Sequence, residues 1–265
     1  MDNEIKKISD VWQQVLYARS NQRFTSMDIL NGILSQIYEL HGDRLYGDDL
    51  SIITGLAYLK DIPVTFIAQY KGSSPKDRIM RRYGMTLPEG YRKSLRVMKQ
   101  AEKFGRAVIC LIDTPGAYPG MNAEERGQAE AIAKNLYEMS ALKVPIISIV
   151  VSEGGSGGAL ALGLGNKVYM LEKAIYSVVS PEGCASILWK DSSMADKAAA
   201  FLKLSASDIY SMKIIDGVIS EEGGLQAINL NLEEKIYKDL LFYKKYNPEQ
   251  IVNERKKKFR LIGAL

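Results

Sequence analysis

Residues 153–163 read EGGSGGALALG, and glycines at 154, 155, 157 and 158 leave Ser156 as the one side chain in the turn. Glycine at this density is entropically costly, so the turn needs a physical reason. The apolar run before it, residues 144–151 (VPIISIVV), has the character of a strand, and the small residues after it suit a buried helix. The glycines therefore fall where a helix begins. The first N–H groups of a helix have no internal partner and carry partial positive charge. A bare backbone there is suited to an anion, or to an oxyanion that forms during a reaction. Tight packing of the turn against a neighbouring element is the other reading of these glycines.

The same turn satisfies GxSxG, the nucleophile elbow of serine hydrolases, between a strand and a helix as that motif requires. A serine nucleophile needs a general base, most often histidine, and the chain has one histidine, His41, ahead of the first sheet strand. That argues against a hydrolase. A GxGxxG fingerprint is not met, because position 160 is leucine. A second turn, residues 113–120 (DTPGAYPG), opens like the magnesium-side motif of GTP-binding proteins. The phosphate loop those proteins need is absent, and no Gly-Lys dipeptide occurs in the chain.

The elements that must position these turns follow from periodicity. Residues 4–18 place Ile5, Ile8, Val11, Trp12 and Val15 on one helical face, able to meet another chain or to fold back. Ser26 is the expected N-cap of a second helix with Leu30, Ile33, Leu34 and Ile37 inward, ended by Gly42-Asp43. Residues 52–59 and 63–70 form a hairpin pattern, and 73–85 a basic loop or short helix. Pro88 suits the first turn of a helix with Tyr91, Leu95, Met98 and Ala101 buried. A strand at 107–112 runs into the 113–120 turn. Asn122 and Glu125 resemble a capping box for a helix with Ile132, Leu136 and Met139 inward. Two more strands are expected at 167–172 and 175–179, and Ser180-Pro181-Glu182 is a helix start. From about residue 192 the pattern is helical. The middle of the chain repeats strand, strand, helix, and ligands of open α/β sheets bind at the carboxyl ends of strands, where both glycine turns fall.

The 265 residues, 46% hydrophobic and 25% charged, fit a globular chain with a sizeable core. No apolar run approaches a membrane span, and residues 1–7 (MDNEIKK) lack a secretory signal's apolar segment. Cys110 and Cys184 sit in or beside apolar runs, which suits a reducing cytoplasm, and neither has metal-ligand spacing, so no metal is expected on this chain. A net charge of +4 does not argue for nucleic acid. Of the basic clusters, residues 255–260 (RKKKFR) suit a solvated helix face, while Arg78, Arg81, Arg82, Arg92 and Lys93 could face a phosphate-bearing ligand.

Residues 113–135 (DTPGAYPGMNAEERGQAEAIAKN), 153–162 (EGGSGGALAL) and 180–190 (SPEGCASILWK) resemble the alpha subunit of bacterial acetyl-CoA carboxylase carboxyltransferase. Gly90-Tyr91-Arg92-Lys93 and Gly42-Asp43-Arg44 with Asp48-Asp49 are similar to it too, so the resemblance runs from about Ser26 to Asp216. It implies an α/β, crotonase-like fold of repeated strand-strand-helix units with helical extensions at both ends. One carboxyltransferase domain over 1–265 is expected, with N-terminal helices at 1–40, the core at 41–191 and a helical region at 192–265.

The implied reaction moves a carboxyl group from biotin to acetyl-CoA, giving malonyl-CoA for fatty acid synthesis. The biotin is held by a carrier protein, not by this chain, and its ureido group serves as base for the methyl proton. The implied partners are a zinc-ribbon beta subunit in a two-alpha, two-beta assembly, the biotin carboxyl carrier protein and biotin carboxylase, in the cytoplasm, with no membrane and no specific nucleic acid. Gly157 and Gly158 match the biotin-side oxyanion hole. Gly154, Gly155, Ser156, Gly116, Ala117, Arg81 and Arg82 are expected to bind substrate.

The sequence departs from the family pattern at Ser152 and Lys213, where glycine is usual, and at residues 219–222 (ISEE). A paralogous carboxyltransferase for another acyl-CoA stays open. So does a stand-alone hydratase or thioesterase of the same fold, which would need Glu153 or Glu182 as its acid or base.

Overall fold

In a computed structural model the backbone is described for residues 2–264 and side chains from Asp10 onward. The expected inward residues Ile5 and Ile8 lie outside the described side chains. The chain begins with helices α1 (Asp2–Arg19) and α2 (Ser26–Ile33), strands β1 (Ser35–Glu39), β2 (Ile52–Leu59) and β3 (Ile62–Gln69), then helices α3 (Pro75–Met80) and α4 (Pro88–Lys103). Strand β4 (Ala107–Thr114), helices α5 (Met121–Glu124) and α6 (Gln128–Ala141), β5 (Ile146–Gly155) and the short helix α7 (Ser156–Leu160) form the centre. Strands β6 (Lys167–Leu171) and β7 (Ile175–Ser177) lead to α8 (Pro181–Trp189), α9 (Ala195–Leu202) and α10 (Ala206–Ser211). Strand β8 (Gly217–Ile219) and helices α11 (Gly224–Tyr243) and α12 (Pro248–Leu261) end the chain.

The strands make one sheet in the order β1-β2-β3-β4-β5-β6-β8, with β7 paired to the far end of β5. The first two pairings are antiparallel and the rest parallel. Parallel strands need crossovers, and these place helices over the sheet. Every residue of β4, and all of β5 but its last, is buried. Helix α4 packs on β2, β3, β4 and α6, while α2 packs on β3, β4 and α11.

Several local expectations differ from the structure. Thr25, not Ser26, caps α2, in a reciprocal capping box with Asp28. That helix stops at Ile33, and the next residues form the edge strand β1, whose five residues, Ile37 included, are all exposed. A five-residue strand with one partner carries little periodicity of its own, so the helical spacing of Leu30, Ile33 and Leu34 extends through it to Ile37 in the sequence. Asn122 and Glu125 form no capping box: Gly120 precedes the four-residue α5, and α6 begins after Gly127 in the left-handed region (φ +80°). The buried side chains of α6 are Gln128, Ala131, Asn135 and Met139, with Ile132 and Leu136 half-buried. The C-terminal region is not wholly helical, since β8 adds to the sheet beside β6.

The basic run 255–260 is not simply solvated either. Arg255 is 1% exposed, and its guanidinium donates to the carbonyls of Met139, Leu142 and Val144 and to Asn166 Oδ1. Burial pulls it down to about 10. Lys258 pairs with Asp216.

Candidate active site

Both glycine turns come together at the carboxyl ends of β4 and β5. A Cβ on Gly155 would lie 2.0 Å from Pro115 O, and one on Gly158 would lie 2.5 Å from Ala117 N and 3.0 Å from Tyr91 Oη. Two backbones therefore touch where side chains would stand, and glycine at 155 and 158 is a packing requirement as well as an opening for N–H donors. Gly157 differs, because its Cβ would meet only Ile132 Cγ2, at 3.7 Å. Gly154 is buried against the Tyr176 ring. Ser156 is exposed and has φ +51°, a conformation that costs a serine energy and tends to occur at functional turns. Gln69, fully buried at the end of β3, donates to Gly158 O at 2.9 Å.

Ser156 and Gly157 open onto a cleft of about 500 Å³, walled by Leu160, Tyr176, Val178, Leu202, Ile209, Met212 and Ile214. Its lining holds no carboxylate, histidine, lysine or cysteine. Burial pushes the Tyr176 phenol up to about 12, so it is neutral at physiological pH. A larger groove of about 780 Å³ beside α1, lined by Gln13, Gln14, Tyr17, Glu172 and Lys173 among others, contains none of the expected residues.

Ser156 Oγ has no hydrogen-bond partner among the described residues, and His41 is held by Asp48 at 3.2 Å in an exposed loop. The elbow therefore lacks its base. Glu153 and Glu182, the candidates for a stand-alone enzyme, are both occupied. Arg19 reaches Glu153 Oε1 (2.8 Å) and Glu182 Oε1 (2.7 Å), and Lys71 Nζ lies 3.0 Å from Glu153 Oε2. Burial opposes the charge on Glu153, but Lys71 and Arg19 outweigh it and hold the carboxyl below its ordinary range. A carboxylate held ionised by two cations is a poor proton donor or acceptor near neutral pH.

Gly116 and Ala117, in the second turn, are half-buried against Gly155 and Gly158 of the central turn. Arg81 and Arg82 do not line the cleft. Arg81 pairs with Asp77 (2.6 Å) and lies over the Tyr70 ring, while Arg82 pairs with buried Asp49. Arg92 bonds Asp43 and Glu89, and Lys93, 1% exposed, pairs with Asp48. These cations are balanced inside the chain, each by an acid that sequence alone did not assign to it. Sequence reasoning also missed the cleft's apolar wall, which comes from β7, α9, α10 and their loops. Apart from Leu160 of α7, its residues carry no local motif, and only the crossover of the later elements brings them to the turn.

A family profile described as acetyl co-enzyme A carboxylase carboxyltransferase-like matches residues 1–263. The chain belongs to the acetyl-CoA carboxylase carboxyltransferase family. It is 50% identical, over all of its length and 85% of the relative's, to the acetyl-coenzyme A carboxylase carboxyl transferase subunit alpha of Listeria monocytogenes. The subunit alpha of Halalkalibacterium halodurans is 51% identical, over 95% of this chain and 79% of that one. Among solved structures, transcarboxylase 12S with methylmalonyl-coenzyme A bound superposes with a TM-score of 0.68 at 18% identity, over 83% of this chain but 42% of that one. A Pseudomonas malonate decarboxylase hetero-tetramer in complex with coenzyme A gives 0.65 at 18%, over 79% and 86%. The fold is the crotonase-like one these structures share, as the resemblance implied.

The departures from the family pattern have structural consequences in this carboxyltransferase. Ser152 Oγ donates to Ala18 O and ties α1 to β5. Lys213 adopts φ +58°, a left-handed position where glycine is unstrained. In the 219–222 segment Ile219 is buried in β8, and Glu221 forms a buried pair with Arg23.

Proposed function

We propose that this chain is the alpha half of a carboxyltransferase that moves a carboxyl group from carboxybiotin, presented by a carrier protein, to acetyl-CoA, giving malonyl-CoA. The supporting observation is the make-up of the cleft: Ser156 and Gly157 at the start of α7 and apolar walls, with no acid, base or assisted nucleophile in its lining, and buried Gly158 directly behind Gly157. Those walls fit a flat cyclic urea with an apolar tail, and the donors fit its oxygen. Bound carboxybiotin supplies both the carboxyl group and the base for the methyl proton.

The chain's own part is to bind, orient and stabilise. The N–H groups of Gly157 and Gly158 lie in the first turn of α7, where no intrahelical acceptor exists. Donors aimed at an oxygen that gains negative charge during the reaction favour the transition state over the ground state. The apolar walls keep water out, which strengthens those hydrogen bonds and protects the transferring group. Glycine at 158 lets the two turns close on each other, and glycine at 157 keeps the mouth free of a side chain.

The thioester also gains negative charge, and the cleft has one glycine turn. A beta subunit therefore supplies the second set of donors, in a two-alpha, two-beta assembly that works with biotin carboxylase and the carrier protein in the cytoplasm. No described helix is long and apolar enough to cross a membrane, and no described cluster of acids, histidines or cysteines is arranged to hold a metal.

The test is reconstitution. The purified chain and the beta subunit, each alone, should form no malonyl-CoA from carboxybiotin and acetyl-CoA, and the mixture should restore turnover. Full-rate synthesis by this chain alone would overturn the two-subunit reading.

A further inference from the structure

The ladder between β4 and β5 slips where the glycine turns begin. Ile112 faces Val150 and Thr114 faces Gly154, so Asp113 alone stands opposite Val151, Ser152 and Glu153. The ladder is interrupted across such a bulge, and the one Thr114–Gly154 pairing beyond it does little by itself to fix the register of the two turns.

Side chains do so instead. Lys71 Nζ lies 2.9 Å from Asp113 Oδ1 and 3.0 Å from Glu153 Oε2, joining the residues that immediately precede each turn. Asp113 Oδ1 also accepts the Glu153 N–H at 3.2 Å. Arg19 holds the other oxygen of Glu153, Arg23 donates to Val151 O at 2.6 Å, and Ser152 donates to Ala18 O. Every residue of the bulge is gripped from outside the sheet, by α1, the loop after it, and Lys71. The Asp113 and Glu153 side chains are 4% and 7% exposed, so water screens them little; the two cations hold Glu153 below its ordinary range, while burial raises Asp113 in spite of Lys71.

We infer that Lys71, with Arg19 behind it, is a positioning residue: it clamps the bulge in β5 and so sets the second glycine turn against the first. The catalytic consequence rests on the oxyanion role proposed for Gly157 and Gly158. The clamp itself does not.

The experiment compares the wild-type chain, Lys71→Met and Lys71→Arg in complex with the beta subunit, by amide hydrogen exchange and steady-state kinetics. In Lys71→Met, exchange of residues 113–117 and 153–160 should rise about tenfold, while 107–112 and 146–150 stay protected. Turnover should fall about 10–100-fold with the KM for acetyl-CoA little changed, as expected for a displaced donor and not a lost binding contact. Lys71→Arg should recover much of both. If Lys71→Met does not fold, Lys71→Met combined with Asp113→Asn, which removes one charge of each sign, should fold and still show raised exchange in both turns. Unchanged exchange in the turns of a folded variant would overturn the clamp, as would an increase spread evenly over the sheet. If the wild-type complex made no malonyl-CoA, the function proposed above would fall while the exchange data still tested the clamp.

Discussion

At residue scale, the four glycines of the central turn are not equivalent. Gly155 and Gly158 have no room for a Cβ, so their replacement disturbs folding and reports little about chemistry. Gly157 has room, with its nearest neighbour at 3.7 Å, and it lines the cleft. Gly157→Val should therefore fold and assemble but lose about 10²–10³ in turnover, because its side chain keeps the oxyanion from the donor, an effect comparable to losing one. Near-normal malonyl-CoA synthesis by a folded Gly157→Val complex would remove this turn from the mechanism. Ser156 is an exposed hydroxyl with no partner among the described residues, so Ser156→Ala should keep most of the activity. Loss of several orders of magnitude, together with labelling of Ser156 by a serine-directed probe, would restore the nucleophile reading. Both results need only the assembled enzyme and a malonyl-CoA assay.

At the scale of elements, the loop between β1 and β2 shows how buried acids build the frame around the site. Asp43 Oδ1 accepts the N–H groups of Leu45, Tyr46 and Gly47 at 2.8–2.9 Å, and Oδ2 accepts from Arg92 of α4. Burial works to raise its pKa, but these four donors outweigh it and hold the carboxyl down to about 2. A folded-state pKa below the unfolded value stabilises the protein above the unfolded pKa, and the benefit is lost as pH falls through the folded one. The contribution is therefore complete at neutral pH, declines below about pH 4, and is gone below about pH 2, amounting to about 2 kcal/mol. Asp43→Asn should be less stable by roughly that amount at pH 7 and should lose correspondingly less between pH 5 and pH 2. Urea unfolding at a series of pH values checks this, and parallel pH profiles for the two proteins would show that Asp43 is not the titrating group.

At the scale of the whole molecule, the terminal helices turn one apolar face inward and leave other large apolar side chains exposed. The inward residues of α11, among them Ile228, Leu232 and Ile236, are fully buried in the main core. Val15 and Ala18 of α1 fold back against Ile175, Ala199 and Leu204. Large apolar side chains are exposed at Val178 (79%) on the cleft wall, at Ile187 and Leu188 on α8, at Phe201 on α9, and also at Leu230, Leu241 and Phe242 on α11. Such a surface beside a half-built site suits a partner subunit. Replacing Ile187 and Leu188 together by aspartate should leave the thermal unfolding of the isolated chain nearly unchanged and weaken its binding to the beta subunit roughly 30-fold or more. Unaltered binding, measured by calorimetry, would move the interface to another face.

What the sequence by itself determined is what short-range chemistry can encode. The glycine turn after a strand, the Ser180-Pro181 helix start, the hairpin turned at Lys60-Asp61 and the buried strands are each written in a few adjacent residues, and each is present in the fold. Long, unusual motifs also carried the family. The tertiary structure alone decided which charges meet. Lys71, Asp113 and Glu153 are 40 or more positions apart, and Arg81, Arg82 and Arg92 look like a free basic rim until Asp77, Asp49 and Asp43 are seen beside them. It also separated Gly157 from Gly158, which are identical in sequence and distinguished only by what stands where a Cβ would be. Periodicity records which face of an element is apolar, whereas ion pairs, backbone contacts and cleft walls depend on which elements the crossovers bring together, and no local pattern encodes that.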